Sequence, residues 1–158
     1  MSQRNHLQGF TLIEVLLYIA LLTLLFGGGV IAAYQVIEAA NRTNAGVMVQ
    51  EEGHFLLRKI DWALTGVTTI VSPAPPPASG PSLTVDKAGV GVITINLASG
   101  RAQLNRGVGF LPLTNDRVTI ADLQFEHTDP DGAGGKPAAI RASFTINGNP
   151  FEITKYLR

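Results

Sequence analysis

No cysteine occurs among the 158 residues, which excludes disulfides, thiolate metal sites and a cysteine nucleophile. A prevailing charge is also missing. Lys plus Arg and Asp plus Glu both number 12, so the formal net charge is zero, and this argues against a chain whose main task is coating nucleic acid or clinging to anionic lipid. Catalytic signatures are missing too. Gly134-Gly135-Lys136 ends like a phosphate-binding loop, but Pro137 replaces the hydroxyl residue and no glycine stands at the required upstream position. Gly89-Val90-Gly91 and Gly107-Val108-Gly109 lack the third glycine of a dinucleotide fingerprint. Neither G-x-S-x-G nor H-E-x-x-H occurs, and His6, His54 and His127 have no metal-ligand spacing. The residues point away from an enzyme, and the length supports one ordinary domain with an appended segment.

What is present is concentrated near the N-terminus. From Val15 to Ile37 there is no charged residue, a run of 23 positions. The segment from Phe10 to Ala33 spans roughly 36 Å as a helix, enough to cross a hydrocarbon core with some tilt. Later apolar stretches such as Val90 to Leu97 are short and interrupted. The polar stretch Met1 to Gly9 carries Arg4 and the terminal amine, which suits a cytoplasmic N-terminus. A cleaved secretory signal, with Val30-Ile31-Ala32 before the cut, and an uncleaved anchor share this appearance. Glu14 sets the segment apart, because an acid at the head of an otherwise uncharged helix costs about 2–3 kcal/mol on insertion scales. It either lies among headgroups or awaits a positive partner from another chain.

The run Gly9-Phe10-Thr11-Leu12-Ile13-Glu14-Val15 resembles the class III signal of type IV pilins and type II secretion pseudopilins. The short polar leader, the glycine before an aromatic residue, the glutamate five positions on and the long apolar run all match, over about the first 35 residues. The resemblance implies that a prepilin peptidase cuts between Gly9 and Phe10 and methylates the new amine on Phe10. It implies that Glu14 then pairs with the Phe10 amine of a neighbouring subunit, which favours assembly and helps set the axial register. Glycine suits the position before the cut because a backbone without Cβ extends readily into a protease cleft. Gly27-Gly28-Gly29 weakens its helical turn, at roughly 1 kcal/mol per glycine relative to alanine. Close helix packing in the membrane is one reading of the triplet; melting on entry to a filament, as in the pilins it resembles, is the other.

Beyond the apolar run, Phe55, Leu56, Ile60, Ala63, Leu64 and Val67 recur at helical spacing, with Glu51, Glu52, Arg58, Lys59 and Asp61 on other faces. This predicts a continuing helix to about residues 69–71, with Phe55 and Trp62 packing between helix and sheet. Pro73, Pro75, Pro76, Pro77 and Pro81 predict an extended spacer over 72–82. Strands are predicted at 82–86, 91–97, 101–105, 117–127 with a bulge near Ala121-Asp122, 139–146 and 151–156, with turns at Ser99-Gly100 and Asn147 to Pro150. Asp129 and Asp131 form a candidate calcium loop, but Asp-Pro-Asp-Gly is also an ordinary turn and the rest of an EF-hand is missing. No other cofactor is indicated.

The expected fold is therefore α+β and pilin-like: a long N-terminal helix, membrane-spanning in its first half and amphipathic in its second, packed on an antiparallel β-sheet head. The divisions are 1–9 leader, 10–36 hydrophobic helix, 37–71 amphipathic helix, 72–82 linker and 83–158 head. The helix half 50–71, including Phe55-Leu56-Leu57-Arg58-Lys59-Ile60-Asp61-Trp62-Ala63-Leu64, the proline link and the strand order loosely resemble J-type minor pseudopilins and minor pilins. Glu14 argues against the tip subunit type that lacks this glutamate. The missing cysteines depart from pilins whose C-terminal loop is closed by a disulfide.

The resemblance implies a structural subunit of a type IV pilus or type II secretion pseudopilus. Its partners would be the prepilin peptidase, other pilin or pseudopilin subunits, an inner-membrane platform and its ATPase, and membrane lipid before assembly. Contact with nucleic acid would fall to the assembled filament. The protein would start as a single-pass inner-membrane protein with its head outside the cytoplasm, then enter a periplasmic or surface filament. The alternative is a signal-anchored adhesion module that binds through loops 105–115 or 128–137.

Overall fold

The computed structural model describes residues 11–74, 76–128 and 137–157. The chain divides into two units, Met1–Asn44 and Ala45–Arg158. The helix α1 (Leu12–Leu64) runs through both. It starts where the Thr11 carbonyl accepts from the amides of Glu14 and Val15 at 3.0 and 3.3 Å. Thr23 and Thr43 return their hydroxyls to the carbonyls of Ile19 and Ala39, so neither polar group lacks a partner.

The helix ends at Leu64 rather than at 69–71. Thr65 gives its hydroxyl to the Asp61 carbonyl, and Gly66 takes a left-handed φ of 71°, which glycine adopts without a Cβ clash. The Lys87 ammonium caps the last turn through the carbonyls of Trp62 and Thr65. The β-branched run that follows forms the strand β1 (Val67–Ser72) instead of a further helical turn.

The proline-rich stretch is likewise more than a spacer. It contains β2 (Ala78–Gly80), and β3 (Ser82–Lys87) follows at once. The remaining strands are β4 (Gly91–Ala98), β5 (Arg101–Asn105), β6 (Phe110–Pro112), β7 (Ile120–Thr128), β8 (Ala139–Ile146) and β9 (Asn149–Tyr156). They form two sheets, in the orders β1-β3-β4-β5-β6 and β2-β7-β8-β9, with every pairing antiparallel. The prolines therefore carry the chain from the first sheet to the second and back. The architecture is α+β, one long N-terminal helix followed by antiparallel sheets.

Turn chemistry sets the registers. Asn147 and Gly148, at φ 48° and 83°, close a two-residue hairpin between β8 and β9, the geometry whose twist matches the flanking strands. The β7 register shifts between Ala121 and Gln124, with Asp122 at φ 55°, so the bulge falls where the broken alternation placed it.

Within residues 45–158 one apolar core joins the helix to both sheets. Val49, Leu56, Ile60, Ala63 and Leu64 face Leu83, Val85, Ile93 and Ile95 of the first sheet and Phe125, Ile140, Ala142 and Phe144 of the second. Closest approach comes at Gly53, which is buried: a Cβ there would land on the Phe151 ring of β9. That ring stacks on Phe144 at 5.5 Å and 11° and meets the edge of His54 at 6.4 Å. Polar ties hold the same seam, with Lys155 on Asp61 at 2.7 Å and the Asn115 amide on Glu52 at 2.6 Å. Trp62 packs against the core, and Phe55 lies half-buried with the Lys59 ammonium 5.4 Å from its ring.

On the outer face of the second sheet, Arg141 donates to Glu152 at 2.7 Å and lies 3.9 Å from Glu126. The hydrogen bond from Arg141 holds the Glu152 carboxyl below the usual carboxylate range. A lowered folded-state value means that this stabilisation is full above the unfolded-state value and is lost as pH falls through the folded one. Glu152→Gln therefore removes part of the acid sensitivity of the head. Thermal melts of both chains across pH 2 to 7, about the range in which carboxylates titrate, should converge toward the acid end. Parallel curves would count against the pair.

Candidate assembly segment at the N-terminus

The first helical unit has no core of its own. From Thr11 to Val47 every residue is exposed except Glu14. Leu12, Leu24 and Tyr34 are each more than two-thirds exposed. An apolar surface this long must be covered by lipid or by other chains. One helix of the described residues is long and apolar enough to cross a membrane, and this segment supplies its apolar window.

Glu14 is half-buried against its own helix. The Tyr18 hydroxyl, one turn on, donates to its Oε1 at 3.4 Å. A side chain four residues away shares the same helix face, so this bond follows from the spacing alone. Tyr18 stands outside the Gly9 to Val15 run, and its i to i+4 spacing from Glu14 is the signal that pairs them. A single long hydrogen bond offsets only part of the desolvation of a carboxylate, which leaves Glu14 in need of a cation.

Gly27, Gly28 and Gly29 lie within α1, and a Cβ built at any of them meets nothing within 4 Å. The chain itself therefore gives these glycines no packing reason. At the end of the apolar run, Arg42 pairs with Glu38 one turn away, and both are exposed.

Gly9 and Phe10, the expected cleavage and methylation positions, lie outside the described residues, as do the calcium candidates Asp129 and Asp131. Among the described residues no three His, Asp or Glu side chains come together to hold a metal.

Comparison with known families bears on this helix. Residues 4–30 match the family model of the prokaryotic N-terminal methylation motif. The chain carries a class III signal. This motif is the hallmark of type IV pilins and pseudopilins, and it implies processing by prepilin peptidase and assembly with other pilin subunits. Together with the apolar helix, the signal supports a membrane-anchored pilin that later enters a filament. The match covers Gly9, Phe10, Glu14, Tyr18 and the glycine triplet and stops before the head. No curated protein and no solved structure matches the chain.

Proposed function

We propose that this chain is a prepilin-like structural subunit, polymerised into a type IV pilus or a type II secretion pseudopilus. The observation that carries the reading is a methylation motif running into an exposed apolar helical segment that has no charge from Val15 to Ile37 and a single acid, Glu14, five residues after Gly9. Hydrolysis of the Gly9–Phe10 amide leaves a carboxyl on Gly9 and an amine on Phe10. α-Amines, with a reference pKa of about 8, stay largely cationic at neutral pH, and one methyl group does not change that. The Phe10 amine of one subunit then answers Glu14 of its neighbour as helices stack. The uncleaved helix waits in the inner membrane with its head outside the cytoplasm, and a platform protein with a cytoplasmic ATPase drives extraction.

Mass spectrometry of the intact chain and its N-terminal peptide, recovered from native membrane or sheared filaments, tests this directly. The expected chain begins at Phe10 and is heavier there by one methyl group. A chain beginning at Met1 or Ser2 would remove the filament reading. A cut after Ala32 would make the head a secreted domain.

A further inference from the structure

We propose that the heads of adjacent copies of this chain meet head to tail, a cationic cluster around Trp62 of one copy receiving the acidic outer face of the second sheet of the next. The inference rests on the filament reading and adds to it the surface through which heads touch.

The cluster is assembled from three elements. Around the Trp62 ring in the last turns of α1 stand the Lys87 ammonium of β3 at 4.6 Å, the Arg106 guanidinium after β5 at 5.5 Å and the Lys59 ammonium of α1 at 6.0 Å. Lys87 is accounted for by the helix carbonyls it caps. Lys59 and Arg106 are not: among the described residues neither has a carboxylate within 4.0 Å. Like charges held this close repel, and an arriving anion relieves the repulsion. Val108 and Phe110, just beyond Arg106, are 88% and 47% exposed and add apolar area to the patch. A half-buried Trp and an exposed Arg beside such area are residue types enriched at interface centres.

The complement is on the same chain. Glu126, Arg141 and Thr154 form one cross-strand row on the outer face of β7, β8 and β9, and Gln124, Ser143 and Glu152 form the next. With Asp122 exposed at the bulge, three carboxylates stand against one guanidinium. A chain of zero net charge thus keeps an excess of each sign on a different surface. A two-fold pair centred on either surface would set like charges against each other. A contact between two different surfaces propagates into an open filament when its rotation does not close a ring, as a filament requires. The indole is crowded by its cations, so it backs the charges instead of offering a platform on which nucleic-acid bases stack.

The missing cysteines make the test clean. Val108→Cys and Gln124→Cys are placed in separate, differently tagged copies, which leaves all the named charges intact. The copies are co-expressed in the native host and treated with a short bifunctional maleimide. In the filament fraction the mixed product should outnumber either like-with-like product by about tenfold, given the cost of like-charge contacts. Arg106→Glu in the Val108→Cys copy should abolish it. Filaments that contain both copies but give no mixed product, or mainly like-with-like product, overturn the contact and leave the filament reading intact. A chain that is unprocessed and never reaches the filament fraction overturns both.

Discussion

A Glu14→Ala chain should be cut between Gly9 and Phe10 as efficiently as the parent, accumulate in the membrane, and enter filaments at no more than about one-tenth of the parent level. The magnitude follows from the difference between two environments. On insertion scales an acid within an apolar helix is disfavoured by about 2.5–3.5 kcal/mol, and the Tyr18 hydroxyl at 3.4 Å offsets only a fraction of that. Pairing with a cationic amine in the bundle removes the penalty, so the subunit gains about 2–3 kcal/mol on leaving the lipid, a factor of about 30 to 150 in the equilibrium. Alanine takes away the penalty and the gain together. The measurement is the ratio of subunit in sheared filaments to subunit in membrane, with N-terminal mass spectrometry to confirm processing. Normal incorporation would show that Glu14 contributes nothing to assembly. Tyr18→Phe, which deletes one weak bond that eases Glu14 in the lipid, should raise the same ratio by less than threefold, about 0.5 kcal/mol.

The second large effect is expected in the head. Gly53→Leu should destabilise it by about 3 kcal/mol, the upper part of the range for overpacked cores, and lower its melting midpoint by about 10 °C or more. A side chain at Gly53 meets the Phe151 ring, which cannot swing away because Phe144 lies flat against it and His54 abuts its edge. Trp62, the single tryptophan, lies in the head and reports its unfolding by fluorescence in the full chain in detergent. Phe151→Ala in the Gly53→Leu background should recover part of the loss, whereas two independent sites would add. An unchanged midpoint for Gly53→Leu would show that helix and sheet do not meet there.

The features legible in the sequence were those written in consecutive residues. The 23 uncharged positions marked the helix, and Gly9, Phe10 and Glu14 marked the signal because that motif is linear. Ile140, Ala142, Phe144 and Ile146, spaced by two, gave β8, and all four are buried. The helix end is not legible because Val67 still fits the helical period, while the stop resides in Thr65 and Gly66 and in a lysine 22 residues beyond Thr65. β2 and β6 are three residues each, defined by their partners rather than by any pattern of their own. That the strands sort into two sheets depends on the proline crossing, which no local period records. Gly53 and the cations around Trp62 were invisible for the same reason: each is made by elements far apart in the chain.

The seam between α1 and β9 also bears on how the head is made. Gly53 meets Phe151 and Asp61 meets Lys155, partners 98 and 94 residues apart. During synthesis the helix leaves the ribosome well before the strand that covers it emerges. Until then Gly53 and its neighbours lack their lid, and contacts of such long range form slowly. Closure of the head therefore waits until β9 has emerged. No cysteine bridge holds partial folds meanwhile, so nascent heads leave apolar surface uncovered over that interval.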